Sequence, residues 1–146
     1  MNILCRFVLL AAVFSASILP SNANLGDTLE QSIARYGKPI SRGKGDSTNA
    51  GLPWYAFKYG SCEVEEMFDG GIVIIEVYSK KDDGAISEEE QQQILKTESV
   101  GKAWSKSKSD PVSTIWMRED GADAVYSSNH MTLGASSRRL NKDNSH

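Results

Sequence analysis

The chain is poor in the residues that build metal centres, disulfide frameworks and nucleic-acid grooves. Among 146 residues there are two cysteines and two histidines, and 16 Lys and Arg against 19 Asp and Glu leave a net charge of −3. Without a basic stripe there is little to hold a phosphate backbone, so no nucleic-acid partner is expected. Two histidines without HExxH spacing and so few cysteines cannot close a zinc site, and neither a metal nor any other cofactor is expected. No apolar run reaches the roughly 20 residues that a membrane-spanning helix needs. What is present is 40% hydrophobic and 24% charged residues, the balance of one small globular domain and not of a disordered chain.

The longest apolar run stands at the beginning and has the three-part form of an export signal. Met1 to Arg6 carries one positive charge, Phe7 to Ile18 (FVLLAAVFSASI) is continuously apolar, and Pro20 breaks it. Ser21-Asn22-Ala23 then puts small residues at the −3 and −1 positions of a cleavage site. As a helix the apolar stretch is about 18 Å long against roughly 30 Å of hydrocarbon, so 1–23 reads as a signal peptide and not as a stable membrane anchor. Cys5 precedes the apolar stretch, where no lipid-acceptor cysteine stands. Cleavage leaves Cys62 alone, so no intramolecular disulfide can form in an oxidising compartment.

In the remainder, two helix signals are each followed by strand signals. Asp27-Thr28-Leu29-Glu30 has capping-box spacing, with Leu29, Ile33 and Tyr36 on one face, and Gly37 and Pro39 close a helix over about Thr28 to Tyr36. Ser41 to Pro53 reads as a loop. Trp54 to Tyr59 is rich in aromatics. Cys62, Val64 and Phe68 alternate with Glu63, Glu65 and Met67, Asp69-Gly70-Gly71 supplies a hairpin turn, and Ile72 to Tyr78 (IVIIEVY) reads as a central strand. Ser87 with Glu90 caps a second helix over about Glu88 to Glu98, whose Ile94 and Leu95 point inward. A connector from Lys102 to Asp110 leads to strands at Ser113 to Arg118, Ala122 to Ser127 and Met131 to Ala135. Ser136 to His146 reads as a disordered tail.

This order predicts a single α+β domain over 24–135, built of two helix-plus-three-strand halves, about 25–81 and 86–135. The helices would pack on one face of an antiparallel sheet of about six strands. The run LGDTLEQSIARYGKP at Leu25 to Pro39, the strand WYAF, the segment MFDGGIVIIEVYSK, the helix ISEEEQQQIL and the Gly101-Lys-x-Trp104 motif together resemble a group of small exported bacterial proteins without an assigned function. The order helix, Tyr-Gly-x-Pro, two strands, Phe-Asp-Gly, strand is also similar, more distantly, to the half-domain of SmpA/OmlA-type outer-membrane assembly proteins and of β-lactamase inhibitor proteins. The resemblance implies a non-catalytic, partner-binding module outside the cytoplasm.

Residue by residue, catalysis finds little support. Cys62 shares its strand face with Val64 and Phe68 and reads as a small buried hydrophobe, with His130 and His146 the only imidazoles that could activate it. Glu63, Glu65 and Glu66 read as paired carboxylates of a solvated face, with Glu63 and Glu65 on the solvent side of their strand. Gly43-Lys44-Gly45-Asp46-Ser47-Thr48 lacks P-loop order. Ser79 to Glu90 overlays the second half of an EF-hand loop, but Ser79 and Lys81 stand where carboxylates belong, and Ser87 and Glu90 have a plainer role as a cap. The aromatics Trp54, Tyr55, Phe57 and Tyr59 are the candidate partner-binding residues, because rings give large contact area at low entropy cost.

The expected function is therefore a soluble exported binding or assembly module, periplasmic or secreted, whose partner is another envelope or extracellular protein. The alternative is a small hydrolase or calcium-dependent enzyme with an unrecognised site. Intact-mass analysis of the exported protein is expected to give a chain beginning at Asn24; a cytosolic chain retaining Met1 would overturn the signal-peptide reading.

Overall fold

The computed structural model describes residues 25–46 and 51–137. The signal peptide 1–23 with its cleavage site, and all but the first two residues of the expected tail 136–146, lie outside them. Within the described residues the elements run α1 (Leu29–Tyr36), β1 (Ser41–Lys44), β2 (Pro53–Tyr59), β3 (Cys62–Asp69), β4 (Ile72–Lys80), α2 (Glu88–Thr97), β5 (Trp104–Ser109), β6 (Ser113–Arg118), β7 (Asp123–Ser127) and β8 (Thr132–Ser136).

The strands form one antiparallel sheet of eight, in the order β1-β2-β3-β4-β8-β7-β6-β5. The fold is mainly β, which overturns the α+β expectation of two helix-plus-three-strand halves. Only α1 and α2, of 8 and 10 residues, are helical, and two segments read as loop and connector each hold a further strand. These are β1, inside 41–53, and β5, inside 102–110. They are the two edges of the sheet, and nearly every side chain in them is exposed. An edge strand buries no full face, so it lacks the two-residue hydrophobic period by which strands are recognised.

The interior strands follow their sequence pattern. Phe57, Val64, Tyr78, Leu133 and Tyr126 are successive cross-strand partners in one row across β2, β3, β4, β8 and β7. The first four are fully buried, and Ile94 and Leu95 of α2 belong to the same core. The turn at Asp69 to Ile72 uses the left-handed angles foreseen for it, with φ of 58° at Gly70 and 82° at Gly71.

Both helices are capped at their N-termini, one as expected and one not. Ser87 and Glu90 form a reciprocal capping box. In α1 the cap is Thr28 with Gln31, not Asp27 with Glu30. The Asp27 carboxylate instead pairs with Arg35 two turns on. The helix is also rotated from the expected face: Ser32 is buried while Ile33 is 38% exposed.

Leu133 tests the central placement of β8, because its side chain is fully buried against the row shared by β4 and β7. Leu133→Ala is expected to cost about 2–5 kcal/mol in denaturant unfolding. A loss under about 0.5 kcal/mol would place β8 outside the core.

Candidate functional site

Three glutamates lie buried in the layer between the sheet and its helices. Glu66 of β3 and Glu76 of β4 are each 0% exposed and stand directly opposite one another in the ladder. Glu98, equally buried, caps the C-terminus of α2. The row that holds the pair continues to Tyr55 on one side and to Ala135, Ala124 and Trp116 on the other. From α1, Ser32 lies beside Glu66, and the Arg35 guanidinium acts electrostatically on all three carboxyls. The Tyr78 hydroxyl donates to Glu98 Oε1 at 2.6 Å and lies 3.3 Å from the Tyr36 hydroxyl. Tyr78 has one proton and gives it to Glu98, so Tyr36 is the donor between the two tyrosines.

Two carboxylates facing each other here cannot both be ionised. If they were, the four oxygens of Glu66 and Glu76 would have no donor. Burial, reinforced by the charge of Glu76, pushes Glu66 up to about 8. Burial and the charge of Glu98 raise Glu76 well above the carboxylate range, and burial raises Glu98 as well. With a proton on each of the first two, the facing acceptors become a chain of hydrogen bonds from Glu66 to Glu76 to Glu98. Burial raises Glu98, and the bonds from Glu76 and Tyr78 with the charges of Arg35 and Arg118 act against that rise. Arg118 also donates through Nη1 to the Glu98 carbonyl and through Nε to Asp120 at 2.8 Å, while its guanidinium lies over the Trp104 ring. None of the three carboxyls is exposed. Among the described residues no three His, Cys, Asp or Glu side chains converge to hold a metal ion.

The aromatic candidates separate. Phe57 is fully buried, and Tyr59 packs edge-on to Tyr36 and Tyr78 with its hydroxyl 3.1 Å from Thr97 Oγ1. These two belong to the core, a correction forced by the helices seated on their face. Trp54 lies on the opposite face, flat against the edge strand: a Cβ added at Gly43 would come within 2.7 Å of its indole. Tyr55 packs edge-on to Phe68 at 5.4 Å and lines a surface groove. That groove, about 460 Å³, runs between α1 and the segment leading into β1. Leu29, Ile33, Ile40 and Tyr55 give it apolar walls, and Lys38 and Arg42 stand on it as cations. Ile33 and Ile40 are 38% and 43% exposed, so apolar surface is left open to water. A smaller cavity of about 250 Å³ shares Leu29 and Tyr55.

The catalytic candidates do not assemble. Cys62 is buried and lines one cavity with Glu90, whereas His130 is exposed and lines another with Ser79 and Asp83. Glu90, the last position of the EF-hand overlay, is fully engaged: Lys80 Nζ lies at 2.9 Å, the Ser87 N–H at 2.8 Å and the Ser61 hydroxyl at 3.0 Å. The bond from Lys80, then that from the Ser87 backbone, holds its carboxyl down at about 2.

No protein-family model, curated protein or solved structure matches the chain. Among the described residues no helix is long and apolar enough to cross a membrane.

Sequence reasoning counted Glu66 with Glu63 and Glu65 as paired carboxylates of a solvated face, a placement its burial corrects, and missed Glu76 and Glu98. The available signal was parity: Glu66 is in phase with Cys62 and Val64, and Glu76 with Tyr78, each on the face that the alternation marks as buried.

The shifts fix the pH response. Glu66 and Glu76 have raised folded values, so their contribution is complete below the unfolded value near 4.5 and is lost as pH rises through about 8 for Glu66 and through the raised value of Glu76. Glu90, Asp110 and Asp120 have lowered values, so theirs is lost in acid. Unfolding stability is expected to peak near about pH 5 and to fall toward pH 8. The slope is at most about 1.4 kcal/mol per pH unit for each carboxyl that holds its proton only when folded. Glu66→Gln, which keeps a donor in place, should flatten that slope. Chemical unfolding at a series of pH values reads both, and an unchanged slope in the variant would remove Glu66 from the account.

Proposed function

We propose that the mature chain is an exported, non-catalytic binding module that holds another envelope or extracellular protein in the groove beside α1. The observation carrying this reading is the open apolar surface of Ile33 and Ile40 beside Tyr55, with Lys38 and Arg42 at its margin. Side chains of that kind left in water gain from a partner that covers them, and an aromatic floor ringed by polar groups is the usual anatomy of a binding centre. The export-signal reading of 1–23 supports the compartment.

The hydrolase alternative has one observation in its favour. Ser79, Asp83 and His130 line a common cleft of about 340 Å³, and Asp83 and Met131 there hold positive φ angles of 54° and 53°. Against it, the His130 imidazole has no hydrogen-bond partner among the described residues, so no base is coupled to a nucleophile.

Ile33 and Ile40 are exposed, so changing them to aspartate leaves the core intact. With mature protein as bait on an envelope extract, Ile33→Asp and Ile40→Asp are expected to weaken capture of the partner tenfold or more, about 1.4 kcal/mol, with unchanged circular dichroism. Equal capture by both variants would overturn the groove reading. Hydrolysis of p-nitrophenyl esters above the level of His130→Ala would move the function to the other cleft.

A further inference from the structure

The edge of the sheet beside the groove carries a second, independent pattern. Gly45 N–H donates to the Leu52 carbonyl at 2.7 Å, and Pro53 has no N–H to give, so Lys44 and Pro53 form a non-hydrogen-bonded pair. Alternation then makes Gly43–Trp54 a bonded pair and Arg42–Tyr55 a non-bonded one. The main-chain N–H and C=O of Arg42 and Lys44 therefore point outward from β1, and no described strand pairs with that edge. At the far edge, β5 is broken by a register shift between Lys106 and Lys108, a bulge that spoils it as a template. The register of β1 is unbroken from Ser41 to Lys44.

We propose that β1 receives an extended acidic–apolar peptide segment of the partner as a ninth strand. This rests on the binding reading above and names the chemistry of its occupant. The side chains of Arg42 and Lys44 share the face of Tyr55, and Gly43 shares the face of Trp54; Ile40, whose N–H donates to the Ala56 carbonyl just ahead of the strand, lines the groove with Tyr55. An antiparallel segment paired with Arg42 and Lys44 thus sets acidic residues opposite those two cations. Its residue opposite Gly43 falls against the indole of Trp54, and its residue opposite Ile40 enters the groove. The segment reads acidic, apolar, acidic, any, apolar. Main-chain bonds supply the attachment, and alternate side chains supply the selection. Charge keeps the edge from pairing with copies of itself, because Arg42 and Lys44 would meet their own like charges.

The test uses a fluorescein-labelled, end-capped peptide, Glu-Leu-Glu-Ser-Leu, titrated by anisotropy into the mature protein. The expected result is saturable binding, weakened fivefold or more when both glutamates are replaced by lysine and when the peptide bonds that face β1 are N-methylated. Binding should slow hydrogen exchange at the Arg42 and Lys44 amides tenfold or more. Lys44→Pro, which removes an outward N–H together with the ammonium, should weaken binding more than Lys44→Ala, which removes the ammonium alone, and Arg42→Glu should favour the lysine peptide. Unchanged exchange at the two amides, or equal affinity for the acidic and lysine peptides, would overturn the proposal whatever the variants do. If Ile40→Asp abolishes capture of the partner while Lys44→Pro leaves it intact, the groove stands and the added strand falls. If neither variant alters capture, the binding reading falls with it.

Discussion

Two carboxyl groups placed face to face in a buried layer form the constraint from which much of this structure follows. Glu66 and Glu76 are direct partners across β3 and β4, and the cost of burying two like charges is several times the stability of a domain this size. The site exists because protons replace those charges and polar groups surround them. That requirement explains α1. A helix packed there with Ile33 inward would leave the carboxyls without polar company, whereas the observed rotation brings Ser32, Arg35 and Tyr36 to them. Arg35 is itself fixed by Asp27, just ahead of the Thr28 cap. Ile33 is turned outward as a consequence, and its exposure helps to form the groove.

On the opposite side the same constraint orders α2. Its last residue sends Glu98 into the layer, where Tyr78 donates to the carboxylate and Arg118 to the backbone carbonyl. Arg118 in turn is clamped by Asp120 in the following turn and lies over Trp104 at the start of the edge strand β5. Glu98 thus ties β4, α2, β6 and β5 together. Hydrogen bonds to a charged group in such surroundings are individually stronger than neutral ones, and they specify one arrangement of helices on a sheet whose apolar rows alone would accept several.

What was legible in the chain divides along physical lines. Strands with one buried face announced themselves through alternation: Trp54 to Tyr59, Cys62 to Phe68, Ile72 to Tyr78 and Ser113 to Arg118 lie within observed strands, and Ala122 to Ser127 and Met131 to Ala135 each begin one residue ahead of theirs. The edges β1 and β5 did not, since SRGK and WSKSKS bury almost nothing and carry the charges that keep edges soluble. Missing both turned eight strands into six and a mainly β fold into α+β. Of the four aromatics singled out in the sequence, Tyr55 lines the groove and Trp54 lies on the other face, while Phe57 and Tyr59 proved to be core, because alternation tells which residues share a face but not which face the helices cover. The buried glutamates went unrecognised for the opposite reason. A charged residue on a strand is ordinarily solvated, and only its phase relative to Val64 and Tyr78 marks it as buried.

Because α1 stands between the carboxyl layer and the groove, its two sides are not energetically separate. Ser32, Arg35 and Tyr36 hold the inner side, and Leu29 and Ile33 wall the outer one. Ionising Glu66 or Glu76 adds charge beneath the helix where Arg35 is the nearest cation on it, and the helix must shift or admit water to accommodate that charge. A ligand whose contacts require α1 to be seated would favour the arrangement that retains the protons. Linkage makes the relation reciprocal: a ligand that prefers the seated helix raises proton affinity in the layer by the same factor by which protonation raises affinity for the ligand. A sheet with an apolar row in place of the glutamates would hold its helices as firmly and would lack this connection between the acidity of its surroundings and the surface it offers.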